Sequence, residues 1–332
     1  MRNWVLIPLV AISALLPITA WSQSIPAYCT EWGSQGSGPG QFESLRGVAV
    51  DAGGYVYVVD FRIDWGNGAE QSRIQKFTRG GQYITQWGGG GGDSWQNEED
   101  NGVAVDAAGN VYVVATDLGL IWKFTNSGGY ITPLGNYGAG PGEFNSPYDV
   151  AVDASGHVYV ADSYNHRIQK LTSSGTYIAQ WGSFGTGPGQ FILPRGVAVD
   201  AGGFVYVADS GNHRIQKFTN SGAYVTKWGS SGTGPGQFDW PFGIAVDASG
   251  NVYVADSNNN RIQMFTNSGV YVGQWGSFGT GPGQFSSPWG IAVDASGHVY
   301  VADSYNHRIQ VFGYGQTAVE NTTWGRVKSL FR

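Results

Sequence analysis

Six side chains differ from one another where nearly everything around them repeats. Arg46, Asn101, Tyr148, Arg195, Phe242 and Trp289 each stand just ahead of a short Gly-(Val/Ile)-Ala-Val run, and the last five are spaced 47 residues apart. In the third copy Asp149 also replaces the glycine of that run. Packing at an equivalent position would favour uniformity, so three aromatics, two arginines and an asparagine suggest a site for a planar or polar ligand. Aromatic stacking combined with forked guanidinium donors suits a glycan, a peptide or an anionic metabolite.

A second group of irregularities falls in the first two copies. The first inserts eight residues around Phe61 to Gln71, bringing Trp65. The second has an acidic stretch with Trp95, Glu98 and Asp100 ahead of Asn101, and Asp117 in its hairpin loop. Trp65, Trp95 and Asp117 are therefore expected to form a rim beside the six. Glu98, Asp100, Asn101 and Asp149 are weak candidates for holding Ca²⁺, which takes six to eight oxygen ligands. They lack the regular Asp/Asn spacing of a dedicated calcium loop, and solvated loop acids are the plainer account. The five histidines all occupy repeat positions, and Asn260 takes the place of one of them, which indicates loop packing rather than chemistry. No Gly-x-Ser-x-Gly, phosphate loop or Cys/His pair is present.

One charged pair recurs and can be tested within the chain: Asp162/Arg167, Asp209/Arg214, Asp256/Arg261 and Asp303/Arg308. The first copy keeps Asp60 and Arg73 around its insertion, and the second loses both at once, to Ala115 and Leu120. Joint loss is what a structural salt bridge predicts, because a single orphaned buried charge costs more than none.

These residues need a frame that presents equivalent positions side by side. A Val-Asp step recurs at Asp51, Asp106, Asp153, Asp200, Asp247 and Asp294, and several short apolar runs fill each period. A period in the forties with short alternating runs is the mark of a propeller. Each copy reads as four strands. The innermost carries a small residue such as Ala198 where blades converge, Val-Tyr-Val-Ala follows a tight Asp-Ala-Ser-Gly-type turn, Arg-Ile-Gln-Lys-Phe is third, and a run ending in Trp-Gly is fourth. The expected fold is all-β, a six-bladed β-propeller of four-stranded antiparallel blades. The last copy stops at Phe312 after three strands, and an isolated fourth-strand run stands at Ala27–Gly33. The N-terminal strand is thus expected to complete the last blade and close the ring. The blades are placed near 46–88, 102–135, 149–182, 196–229, 243–276 and 290–312 plus 27–33, a propeller over 27–312.

Bulk properties narrow the function. Of 332 residues 53 are glycine, 14% are aromatic and only 13% are charged, a turn-dense β composition. A net charge of −6 would repel phosphate backbones, so nucleic acid is excluded as a partner. Residues 1–22 read as a signal peptide, with Arg2 ahead of an apolar run and cleavage between Ala20 and Ser22. The mature chain is expected to be secreted or in the cell envelope, monomeric and without a transmembrane span. Cys29, the single cysteine, is expected to pack in a strand. Residues 313–332 form a surplus tail, a candidate sorting or attachment segment with a formal glycosylation sequon at Asn321.

The repeat resembles the NHL repeat. Pro241-Phe242-Gly243-Ile244-Ala245-Val246-Asp247 and Asn212-His213-Arg214-Ile215-Gln216 carry the likeness, as do the Gly-Pro-Gly-Gln-Phe runs beginning at Gly38, Gly187, Gly234 and Gly281, with a Glu variant at Gly140. The resemblance covers roughly Ala27 to Phe312 and suggests a secreted bacterial or archaeal member. It implies a six-bladed ring with a central channel, and much less about activity: such propellers serve as ligand or protein sensors, as RNA- or protein-binding modules, or as the body of a peptide-amidating lyase. In that lyase zinc-binding histidines stand at the channel mouth, and none stands at the six matching positions here. Lactonase-type propellers hold Ca²⁺ through Glu, Asn and Asp in the channel.

The expectation is a secreted, non-catalytic binding module whose ligand sits on the channel-mouth face and needs no cofactor. Its partner would be an extracellular glycan, peptide, protein or small anion. The alternatives are a metal-dependent lyase or lactonase with a Ca²⁺-type site in the channel, and a structural cell-surface protein.

Overall fold

The computed structural model describes residues 25–64, 69–88 and 100–314. The proposed signal peptide, Trp65, Trp95, Glu98 and most of the proposed tail lie outside these residues. Six four-stranded antiparallel sheets form the blades of a propeller. In blade 4, Pro194–Val199, Val205–Asp209, Arg214–Phe218 and Tyr224–Trp228 run from the channel outwards. Among the described residues no helix is long and apolar enough to cross a membrane.

The inner strands begin earlier than the Gly-Val-Ala-Val pattern suggests. They start at Pro147, Pro194, Pro241 and Pro288, and the pairing slips between Pro194 and Gly196. That bulge re-aims the residue between the proline and the run. Glycine follows because the next blade leaves no room: a Cβ on Gly196 would stand 2.1 Å from the carbonyl oxygen of Phe242.

Blades adhere through apolar clusters at every junction. Ala198, Tyr206, Ala208 and Ile215 of blade 4 meet Ile244, Val252, Val254 and Phe265 of blade 5, for example. Burying each large side chain of this kind contributes ~1.5–3 kcal/mol. Beneath each inner strand the turn aspartate gathers donors: Asp200 Oδ1 accepts the Phe204 N–H and Oδ2 the Tyr206 hydroxyl, both at 2.9 Å.

The ring closes through the chain's own beginning. Ala27–Trp32 pairs antiparallel with Arg308–Gly313, from Ala27 opposite Gly313 to Trp32 opposite Ile309. Arg308 Nη1 also meets Glu31 Oε2 at 3.0 Å. Cys29 sits at the bulge in this strand, its thiol pushed upwards by burial. Gly313 belongs to the last strand, and the Tyr314 hydroxyl stands 2.7 Å from that of Tyr253.

In blade 1 the described part of the insertion around Phe61 to Gln71 is strand. Val56–Asp64 and Ala69–Phe77 extend the hairpin in register as far as Asp64 opposite Ala69. Apolar and polar residues alternate over Phe61-Arg62-Ile63-Asp64, the period of an extended strand.

Candidate functional site

The six variable residues converge at one end of the channel. Arg46, Asn101, Tyr148, Arg195, Phe242 and Trp289 all line one cavity of about 90 Å³, together with Asp149 and the backbone of the inner strands. The loop entering each inner strand and the loop joining strands two and three share this face. Their hydrogen bonds show it: Ser163, Ser210 and Ser257 donate to the carbonyls of Pro194, Pro241 and Pro288 in the following blade. Ser304 does the same to Leu45 across the closure, and Thr116 to Pro147.

Aromatic rings and guanidiniums pack on one another at the mouth. Phe242 and Trp289 meet edge to face with centroids 5.2 Å apart, and Tyr148 lies 6.1 and 6.2 Å from them. The Arg46 guanidinium lies 3.9 Å from the Trp289 centroid and 5.6 Å from that of Phe61, at the base of the blade-1 insertion. Arg195 stands 4.6 Å from Tyr148, 4.7 Å from Phe242 and 5.2 Å from Trp240. Such contacts are worth ~0.5–2 kcal/mol each and fix where a flexible cation sits. Arg195 Nη1 also donates to the Tyr148 hydroxyl at 3.3 Å. Trp289 Nε1 donates to Ser287 Oγ at 3.0 Å.

Asn101 and Asp149 supply the oxygens of the cavity. Asn101 is 3% exposed, and its Nδ2 donates to Thr116 Oγ1 at 2.6 Å. Because Thr116 Oγ1 itself donates to the Pro147 carbonyl, it must accept from the amide, which fixes the orientation of Asn101. Asn101 Oδ1 is left buried with no hydrogen-bond partner among the described residues. Asp149 Oδ2 accepts the Val197 N–H of blade 4 at 3.0 Å, and its other oxygen lies towards Gly102 of blade 2. Asp149 keeps some surface on the channel but is enclosed by protein on its other sides. Burial raises its pKa to about 7 despite the amides of Val197 and Val150.

The paired charges stand beside this site as scaffold. Arg167, Arg214, Arg261 and Arg308 each place Nε 2.7–2.8 Å from the aspartate across the hairpin, and Arg73 meets Asp60 at 2.9 Å. Burial nevertheless pushes the pKa of Asp60, Asp209 and Asp256 upwards. The arginine does more than bridge the hairpin. Arg167 Nη1 donates to the Ala139 carbonyl and Nη2 to those of Gly140 and Glu143, so it organises the Gly-Pro-Gly loop of its own blade. Gln169 assists, accepting from Gly142 N and donating to Glu143 O. Blade 2 lacks that loop sequence, which explains why its aspartate, arginine and glutamine vanish together, to Ala115, Leu120 and Trp122.

The histidines have a structural task. His166 and His213 adopt left-handed backbone, and their Nδ1 atoms accept the N–H of Leu193 and Trp240 in the next blade at 3.2 Å. Asn260 substitutes because its Oδ1 accepts the Ser287 N–H at 2.8 Å from the same conformation.

Of the remaining rim and calcium candidates, Asp117 is exposed in the hairpin turn after Thr116, and Asp100 opens the inner strand of blade 2 opposite Ala115. Sequence reasoning missed Thr116, Trp240 and Phe61. Trp240 had a legible signal, since Ser146, Leu193 and Ser287 hold the matching place.

Glu98 and the side chain of Asp100 lie outside the described residues. Among the described side chains of the cavity, Asn101 and Asp149 are two oxygen donors where Ca²⁺ takes six to eight, and two guanidiniums line the same cavity. Among the described residues no three of His, Cys, Asp and Glu gather closely enough to hold an ion.

Comparison with known proteins agrees with this architecture. Residues 144–171, 191–218, 238–265 and 285–312 match the model of the NHL repeat, one segment in each of the last four blades. No curated protein matches the chain. Among solved structures, a streptogramin B lyase is 16% identical over 85% of this chain and 96% of its own, with a TM-score of 0.60. Virginiamycin B lyase from Staphylococcus aureus is 15% identical over 86% and 99%, with a TM-score of 0.54. A gluconolactonase from Xanthomonas campestris is 16% identical over 87% and 97%, with a TM-score of 0.57. At these identities the likeness is one of fold alone.

Proposed function

Starting from a closed six-bladed ring, four of whose blades match the NHL repeat, we propose that the chain is a secreted binding module whose channel mouth takes a small anionic ligand. The observation that carries the proposal is the seating of both guanidiniums on aromatic rings, Arg46 on Trp289 and Arg195 between Tyr148 and Phe242. A cation held flat by rings loses little further freedom when an anion arrives, and preorganisation of this kind favours binding. Among the described residues only one of the five Arg195 N–H groups is engaged, at the Tyr148 hydroxyl.

A catalytic reading has one observation behind it. A carboxyl titrating near 7 in a cavity suits acid–base chemistry, and Asp149 is such a group. Two of the similar folds bear the names of lyases and one of a lactonase. The binding reading is preferred because, among the described residues, no nucleophile–base pair lines the cavity and no three of His, Cys, Asp and Glu gather to hold a metal.

Thermal-shift screening of small carboxylates, acidic sugars and acidic peptides tests the proposal. The wild-type chain should be stabilised by at least one class, and Arg195→Ala with Trp289→Ala should abolish that shift while lowering the ligand-free Tm by only a few degrees. A shift retained in a folded double variant would move the site elsewhere.

A further inference from the structure

The anion explains the guanidiniums but not the two oxygens that share their cavity. Resting on the reading of the mouth as an anion site, we propose that the ligand is a small zwitterion, its acid group at Arg195 and Arg46 and its ammonium at Asp149 and Asn101.

Asn101 Oδ1 carries the argument. It is buried, lines the cavity, and accepts nothing among the described residues, while Thr116 holds the amide so that oxygen rather than nitrogen is left unengaged. Leaving such an acceptor unmade costs ~1–3 kcal/mol, so a ligand that donates to it recovers that cost. A simple anion offers no donor there.

Asp149 supplies the matching charge. Five copies have glycine at its position and the ring closes there without a side chain, so closure does not require the carboxylate, although its Oδ2 accepts the Val197 N–H. Its neighbours offer it two amides and no cation of their own. An ammonium donates up to three hydrogen bonds, enough for a carboxylate and an amide oxygen together. Charge favours the same ligand class: with Asp149 ionised, the two guanidiniums and one carboxylate among the described lining residues sum to a net positive charge, which suits a molecule that is neutral or acidic overall. Size agrees, since about 90 Å³ accommodates a small molecule rather than a folded segment.

The proposal predicts a pH signature. Burial holds Asp149 near 7, so it is largely protonated at pH 5.5 and largely ionised at pH 8. Among the described residues Arg46 and Arg195 are the other charged side chains lining the cavity, Tyr148 is the other ionisable one, and no histidine lines it. The preference for an amine should therefore strengthen as pH rises through neutrality.

Calorimetric titration of the full chain with matched acids decides the matter: L-phenylalanine against 3-phenylpropionate, and 4-aminobutyrate against butyrate. The amino member of at least one pair should bind roughly tenfold tighter or more at pH 8, with the advantage shrinking at pH 5.5. Asp149→Gly, which installs the residue of the other copies, should fold and lose the preference while still binding the plain acid. Equal affinity within each pair, or a preference that survives Asp149→Gly, overturns the zwitterion and leaves the anion site standing. If no acid of either kind binds, the anion site falls and this inference with it.

Discussion

Asp149 shows how far one residue can depart from a repeat before the departure demands a reason. In the other copies glycine lies against the next blade's backbone, whereas Asp149 spans the gap and accepts the Val197 N–H. Its burial has a consequence for stability. In the unfolded chain an aspartate releases its proton near 4, but the folded protein holds it until about 7. Over that window the native state binds more protons, so the native-state contribution weakens as pH rises from about 4 to 7 and is gone above it. Asp149→Gly removes the effect. Its Tm should exceed that of the wild type by more at pH 8 than at pH 5, and a constant difference would contradict the burial argument. The six channel residues were legible in sequence because an internal alignment of six copies exposes what varies. Their packing was not legible: nothing in the spacing places Arg46 on Trp289, or lets Thr116 fix the amide of Asn101, since those contacts cross blades.

Short elements explain themselves through what they hand to the next blade. The Asn-His-Arg hairpin ends in left-handed backbone, and at His166, His213 and Asn260 the side chain there accepts one N–H from the neighbouring loop. Residue type matters less than the presence of an acceptor that tolerates positive φ, a role that suits Asn as well as His. His213→Asn should therefore leave the unfolding free energy within ~0.5 kcal/mol, whereas His213→Ala should lose about 1–3 kcal/mol through an unmade hydrogen bond and backbone strain. Denaturant titration separates the two, and equal losses would refute the acceptor role. Strand order and turn chemistry were readable because Asp-Ala-Ser-Gly and Thr-Asn-Ser-Gly specify their turns locally. The strand character of the blade-1 insertion was not legible, because it arrives without a second copy for comparison. Alternation alone carried its strand signal, from Phe61 opposite Ser72 to Asp64 opposite Ala69.

For the whole molecule, closure decides which side chains face one another. The strand Ala27–Trp32 covers an otherwise open edge and brings Trp32 against Tyr300 of blade 6 and Phe77 of blade 1. Deleting residues 25–33 should lower the Tm by ten degrees or more, on the order of the several kcal/mol expected from exposing that edge and its aromatics; an unchanged calorimetric transition would mean that the ring does not depend on this strand. Closure was legible by counting, because three strands at one end and one at the other make a blade. The chemistry at the centre was legible only as a list of residue types until six inner strands converged on one axis. That convergence underlies the central claim, a ligand held at the channel mouth. It is tested most directly by the indole N–H resonance of Trp289, assigned through Trp289→Phe and followed by two-dimensional NMR while the tightest-binding acid is titrated in. The account predicts that this resonance shifts saturably while those of the blade-interface indoles Trp181 and Trp228 stay in place. A Trp289 resonance that remains still as the acid binds would contradict it.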